Sequence, residues 1–529
     1  ANISLLGRSI PVTQPAEWCS LGTTNLLEGP AAGADSVTLG VSPPTCAWTA
    51  AANAEWLHLS APGGAGSTNV IFTFDANPGA TRTGTLTVAG QTLSVTQAGS
   101  TYTAAGSLTT LLSPWIPAAA PLAGRALGVA VDGSGNVYGS FYVYGQSGTV
   151  ATPVQKWEAA SGAVSTLPSS DLNRPAGLAA DNWGNLDIAD PNANAIKKWE
   201  PASGVVSTLV SSGLSGPSAV APDGYGNLYI ADSGHNLIAK WSAASNTLST
   251  LVPATAGLSS PNAVAVDAAG NVYIADTSHK LIKKWSAADG SLSTLVSTNA
   301  GMVSPSGVAV DGSGNVYIAD IAGMKKWSAV SGAVTALIPS GLDRPGSVAV
   351  DPGGNLYIAE LYGHVVKEQP RAFVDATARI EPAAGGSDSL PAVLPSTQNL
   401  SGLFAPVSDQ SWLTITGVTN GVVAYSFSPN PGTNRTAQVT VLGQAVAVIQ
   451  AGTMDPGQRP AIRVALQGAT VVLSWLAPAN FFTLQSRDSL SPETTWQDLA
   501  VAQQESGGWS SVTIPSPTGT RFFRLSKSR

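Results

Sequence analysis

Four histidines stand in this chain of 529 residues, and three of them share a setting. His235 (SGHNLI), His279 (TSHKLI) and His364 (YGHVVK) each follow an Ala-Asp or Ala-Glu pair, and imidazoles beside carboxylates are groups that hold a metal ion or relay a proton. His58 lies apart from them. Six aspartates, Asp132, Asp181, Asp223, Asp267, Asp311 and Asp351, recur in D-x-x-G-N contexts where calcium binding or general-base work is conceivable. Both sets have a plainer explanation. One active site needs one set of groups, whereas sixfold repetition is what a turn-capping carboxylate predicts, and the histidines occupy nearly equivalent hairpin positions of the same repeat. The sequence holds no GxSxG, HExxH or P-loop pattern. No residue is assigned a catalytic role and no cofactor is expected. His235, His279 and His364 stay as the alternative metal set, and the residues point to a protein that binds rather than one that catalyses.

The elements that must position these groups come from one block present six times: LGVAVDGSGNVY (127-138), AGLAADNWGNLDIAD (176-190), SAVAPDGYGNLYIAD (218-232), NAVAVDAAGNVYIAD (262-276), SGVAVDGSGNVYIAD (306-320) and GSVAVDPGGNLYIAE (346-360). The six aspartates are 49, 42, 44, 44 and 40 residues apart, the length of a four-stranded blade. VAVD and NVYIAD read as strands, and the glycines between them supply the positive φ of a tight hairpin. A third strand ends at Trp157, Trp199, Trp241, Trp285 or Trp327, and a fourth follows in segments such as SGVVSTLV (203-210). The sixth block lacks that last strand, but SLTTLL (107-112) precedes the first block with the same pattern, so an N-terminal strand is expected to close the ring.

This GxAxDxxGNxYxAD pattern resembles the NHL repeat family. The resemblance implies a six-bladed β-propeller over 103-372, of a kind that includes protein-binding and ligand-binding members and a few lyases with His and acidic residues reaching the central channel. Here the segments leading into the innermost strands read GRALG, RPAGL, GPSAV, SPNAV, SPSGV and RPGSV, with no His and no acid pair. The five Trp residues are expected to pack between blades rather than to stack sugars. The first blade departs from the pattern: it lacks the second Asp and is lengthened through FYVYGQSGTVATPVQ (141-155). An aromatic insertion in one blade of a regular ring is the candidate contact for a ligand or partner, through Phe141, Tyr142, Tyr144 and Gln146.

Two further segments match each other. AEWLHL with VIFTFDANPGATRTGTLTVAGQTLSVTQAG (54-99) and QSWLTI with VAYSFSPNPGTNRTAQVTVLGQAVAVIQAG (410-452) keep Asn77, Arg82 and Gln97 at the spacing of Asn430, Arg435 and Gln450. The pattern resembles the BACON family of Ig-like β-sandwiches, implying sandwiches over 19-102 and 373-453, with Trp56 and Trp412 expected in their cores. The family's name implies carbohydrate binding. The final segment (454-529), with FTLQSRDSL, TTWQ and FFRL, resembles a fibronectin III-like module of secreted bacterial proteins. Residues 3-16 align with 86-99 and 439-452, so 1-18 reads as the last hairpin of a preceding BACON-like domain. Three explanations stand open for it: a missing upstream part, packing on the 19-99 domain, or strand addition to another copy.

Composition bounds the partners. Charged residues are 11% of the chain and the formal net charge is -7, and no basic run appears, which argues against nucleic acid. No apolar run is long enough to span a bilayer. The two cysteines, Cys19 and Cys46, point to a disulfide rather than a metal site in so β-rich and Lys-poor a chain, and hence to an extracellular or cell-surface setting. The expectation is an all-β chain, a six-bladed propeller with Ig-like and fibronectin-like sandwiches. Its partner would be a surface protein or polysaccharide, with a homopolymer as one outcome. A propeller-type lyase and a glycan-binding protein are the alternatives.

Overall fold

Short runs rich in Val, Ile and Tyr, bounded by Gly- and Asn-containing turns, favour paired strands over helices. The computed structural model of the chain is accordingly all-β, with no α-helix among the described residues and no helix long and apolar enough to cross a membrane. The structure describes residues 2–5, 8–11, 18–43, 45–113, 123–145, 148–168, 170–181, 183–338, 341–452, 461–467, 470–476, 482–491, 494–499, 501–506, 509–515 and 521–527. The chain falls into two units, residues 1–100 with 106–371, and residues 101–105 with 372–529.

The first unit contains six antiparallel sheets, each with a four-stranded core. In the third, Pro217–Pro222, Leu228–Asp232, Leu237–Ser242 and Thr247–Val252 pair in chain order from the inside out. In the sixth, Pro345–Val350, Leu356–Glu360 and Val366–Gln369 are completed by Thr109–Leu112, the closing strand expected from SLTTLL. The innermost strands neighbour one another in a closed cycle, the first beside the sixth, so the sheets form a six-bladed propeller whose inner edges are short and face the channel. From the first blade to the sixth, the five successive blade interfaces each carry an apolar cluster. Ile274 and Val272 pack with Tyr229 and Ile238 of the preceding blade, and the next interface repeats the arrangement with Ile318 and Tyr273. Trp199, Trp241, Trp285 and Trp327 contribute to such clusters, and the Trp199 ring lies 6.1 Å from Tyr138 of the blade before.

Antiparallel order puts alternate connections on opposite faces of the ring. The D-x-x-G-N turns lie on one, here the turn face. The loops running into the innermost strands, and the connections between second and third strands, lie on the other, here the lead-in face.

A sandwich of two sheets precedes the propeller, one holding Gly33–Ser42 and Thr68–Phe74, the other Arg82–Val88 and Gln91–Gln97. Val37, Leu39, Phe72, Leu86, Leu93 and Val95 fill the space between them. This sandwich sits on the turn face. Thr38 N donates to Gly312 O at 2.9 Å, and Ser36 Oγ to Ser313 O at 2.6 Å. A Cβ on Gly312 would meet the Gly22 backbone at 2.6 Å, so this turn tip must be glycine for the sandwich strand to lie so close.

The second unit has a sandwich of the same design, with Arg435–Val441 and Gln444–Gln450 in one sheet and Leu413–Thr419 and Val422–Phe427 in the other. A further pair of sheets follows around Trp475, Leu473, Leu484 and Leu525. At the N-terminus Asn2–Leu5 pairs with Arg8–Pro11 as an isolated two-stranded hairpin among the described residues.

The expected Cys19–Cys46 disulfide is not formed. Both thiols are free. Cys19 lies on a strand of one sheet and Cys46 just before the strand Ala47–Ala52 of the other, and the sulfurs turn to separate carbonyl oxygens, Ala89 O at 3.3 Å and Ala47 O at 3.8 Å.

Candidate functional site

The repeated carboxylates are consumed by the backbone that presents them. Asp267 Oδ1 accepts from the Ala269 and Asn271 amides at 3.0 and 2.9 Å, and Oδ2 accepts from Asn271 Nδ2 at 2.8 Å and the Tyr273 hydroxyl at 3.0 Å. The same set recurs at Asp132, Asp311 and Asp351 for most of its bonds, which is the turn-capping role. Burial and the adjacent aspartate push the tyrosine hydroxyls upward in pKa and keep them as donors.

The second acid of each block works on the lead-in face. Asp190, Asp232, Asp276 and Asp320 are fully buried. Asp190 accepts from the Asn173 and Arg174 amides at 2.7 and 2.9 Å, and Asp320 from those of Val303 and Ser304 at 2.9 and 2.8 Å. Each carboxylate thus fixes the loop that enters the innermost strand of its own blade.

The three propeller histidines do not converge. His235 Nδ1 is 2.8 Å from Asp232 and His279 Nδ1 is 3.0 Å from Asp276, each tied to its own blade with the ring half-exposed. His364 is displaced by one position: it aligns with Asn236 and Lys280, and all three adopt a left-handed backbone with φ of 58°, 57° and 60°. Among the described residues no three His, Cys, Asp or Glu side chains stand close enough to hold a metal ion.

Of the four aromatic and polar candidates in the first blade, Phe141 is corrected. VYGSF (137-141) aligns with VYIAD, so Phe141 takes the place of the buried acid and is itself fully buried. At the places of the Asn173 and Arg174 amides the first blade has Gly124 and Arg125, which belong to the strand paired with Val143 and Tyr142. Tyr142 lies beyond it in an extended hairpin, where Arg125 pairs with Tyr142, Gly124 with Val143 and Ala123 with Tyr144. The register places Tyr144 at the tip, and Gln146 lies outside the described residues.

Sequence reasoning missed the arginines beside this hairpin. The Arg174 guanidinium carbon lies 5.1 Å from the Tyr142 ring centroid, and those of Arg125 and Arg344 lie 5.4 and 4.4 Å from that of Tyr362. The signal was visible in GRALG, RPAGL and RPGSV, where each arginine stands seven residues before its turn aspartate.

In the sandwiches, Trp56 and Trp412 are half-buried rather than core residues, because an arginine covers one face of each ring: Arg82 at 4.4 Å and Arg435 at 4.3 Å. Arg82 Nε donates to Gln97 Oε1 at 2.9 Å, and the buried Gln97 donates on to Asp75 O at 2.9 Å. Arg435, Gln450 and Ser428 repeat these bonds. The shared Asn, Arg and Gln spacing is therefore an internal clasp. On the turn face, by contrast, Trp183 and Tyr225 are 65% and 64% exposed, and the Tyr225 ring lies 5.9 Å from Trp18 at a steep angle.

No curated protein matches the chain. Among solved structures it is similar to a chain of a nidogen/laminin complex (20% identity over 40% of this chain and 78% of that one, TM-score 0.35). It is also similar to a gluconolactonase from Xanthomonas campestris (18%, 50% and 89%, 0.41) and to virginiamycin B lyase from Staphylococcus aureus (12%, 62% and 98%, 0.34). Two segments, 47–98 and 405–451, which hold both Trp, Arg and Gln clasps, match the family described as "BACON: Putative binding domain, N-terminal".

Proposed function

We propose that the chain is a secreted, non-catalytic binding or scaffolding protein of the cell surface or extracellular matrix, whose partner meets the lead-in face of the propeller. One observation carries this reading. The first blade breaks the repeat by replacing the buried acid with Phe141 and extending its hairpin to Tyr144, on the face opposite the one that the first sandwich covers. In this reading the blades are NHL repeats, the sandwiches at 19-102 and 373-453 are BACON modules, and 454-529 is a fibronectin III-like spacer. The N-terminal hairpin would add to another copy, and sedimentation of the intact chain against one lacking residues 1–11 tests that.

The lyase alternative requires His235, His279 and His364 to share a metal. Metal analysis of natively purified protein separates the two. A stoichiometric metal that a His235→Asn, His279→Asn, His364→Asn variant loses would overturn the non-catalytic reading. A second reading, glycan binding, is favoured at a different place from Trp56 and Trp412: the exposed rings of Trp183 and Tyr225 on adjacent turn tips offer open faces for sugar stacking.

A further inference from the structure

Seven residues before the turn aspartate, at the mouth of the lead-in face, the six blades carry Arg125, Arg174, Gly216, Ser260, Ser304 and Arg344. The three arginines belong to the first, second and sixth blades, which are consecutive around the ring. Half the mouth is therefore cationic and half is small and neutral. Such an arc is unexpected in a chain of net charge -7, because like charges held close together repel unless something negative joins them.

The local acids do not serve. Among the described residues none of the three guanidiniums takes part in an ion pair. Asp190 is committed to backbone amides, and Glu360 to Lys367 Nζ at 2.8 Å. Asp171 and Asp343 stand in the same loops without pairing to the arginines. The Nε atoms of Arg125 and Arg174 are buried and lack any hydrogen-bond partner, which is unfavourable for a cation.

The arginines are also held in place. Tyr362 carries both Arg125 and Arg344 against its ring, and Tyr142 carries Arg174. Stacking uses the face of a guanidinium and leaves its N–H edge for a planar anion, which it grips with two parallel hydrogen bonds. Arg344 sits at φ 54°, a left-handed loop position that the repeat also uses at Gly216 (56°) and Ser260 (48°).

We infer that Arg125, Arg174 and Arg344 form a carboxylate-binding arc whose ligand is an acidic peptide segment of a partner protein. The inference rests on the lead-in face being the binding face and names what it recognises. Arg125 and Arg344 share the Tyr362 ring while Arg174 stands apart on Tyr142, so two groups of cations match carboxylates spaced along an extended chain better than one compact anion. The tyrosine rings are already used by guanidiniums, so they offer poor stacking to a sugar.

The other blades supply replacements that fit this backbone: Arg125→Ser, Arg174→Ser and Arg344→Gly. Binding of the intact chain to a fluorescein-labelled ten-residue glutamate-rich peptide, followed by anisotropy, is expected to weaken at least tenfold in Arg344→Gly and to vanish in the triple variant. The matched glutamine peptide should not bind, and Lys280→Ser, which removes a charge from the opposite side of the same face, should change affinity less than twofold. Equal binding of the glutamine peptide, retention by the triple variant, or loss with Lys280→Ser would overturn the inference. So would arginine-dependent binding of polygalacturonate or an oligonucleotide in place of the peptide. If none of these probes binds while Tyr142→Ala still abolishes recognition of another ligand, the carboxylate arc fails and the lead-in face survives as the binding surface.

Discussion

Nη2 of Arg371, at the end of the propeller, donates to the carbonyl oxygen of Leu27 in the first sandwich at 2.6 Å. The same nitrogen lies 3.4 Å from Glu28 Oε1, so one side chain satisfies both a strand end and a buried acid. Arg371→Leu leaves both without their donor. The expected loss is about 2 kcal/mol of first-unit stability, the net worth of a hydrogen bond from a charged group, measured by urea unfolding.

Burial pushes Glu28 up to about 8, against the pull of Arg371. It does the same to Glu368, to about 8, where Asp351 adds to the effect, and to Asp187, to about 7, against the pull of Lys198. Each of these acids therefore binds a proton in the folded chain at a pH where the unfolded chain has lost it. That contribution is fully present below the ordinary carboxylate range and is lost as pH rises through 7 to 8. The urea midpoint of the first unit should be higher at pH 5.5 than at pH 8.5, and Glu368→Gln should flatten the difference. A midpoint that rises toward pH 8.5 would contradict the assignment.

Asp187 stands where other blades have the tyrosine that donates to the turn aspartate, and neither of its carboxylate oxygens has a hydrogen-bond partner. Lys198 compensates in part, bonding Asp181 at 2.7 Å and approaching Asp187 at 3.8 Å. Asp187→Tyr removes a buried acid and restores the Tyr–Asp bond of the repeat. It should stabilise the first unit by about 1 kcal/mol or more, read as a raised melting temperature.

The clasp predicts matched effects in two places. Gln97→Leu strands Arg82 Nε and the Asp75 carbonyl in the first sandwich, and Gln450→Leu strands Arg435 Nε and the Ser428 carbonyl in the other. Each should cost about 2–3 kcal/mol. Calorimetry should show the first substitution acting on one unit and the second on the other.

Much of this was legible in the residues. SLTTLL announced the closing strand because it repeats the fourth-strand pattern of the other blades, although it pairs with the distant Val366–Gln369, and the D-x-x-G-N repeat announced a capping carboxylate because its hydrogen bonds are local. Phe141 was misread because its role is defined only by alignment with Asp232, which hides it in a blade whose motif is broken. His364 was grouped with His235 and His279 although its left-handed backbone places it with Asn236. Trp56 and Trp412 looked like core residues because the arginine that covers each is 26 or 23 positions away along the chain. The arginine arc escaped notice for a similar reason: the stacking of Arg125 and Arg344 on Tyr362 joins residues that only ring closure brings together.

The central claim is that the lead-in face is the binding surface, and an array of peptides and glycans probed with the intact chain and three variants tests it most directly. Tyr142→Ala with Tyr362→Ala alters the lead-in face, Trp183→Ala with Tyr225→Ala the turn face, and Trp56→Ala with Trp412→Ala the sandwiches. The account predicts that the first variant alone loses the bound ligand while all three remain folded at the assay temperature, as circular dichroism reads. Ligand retained by the first variant and lost by the second or third would contradict it.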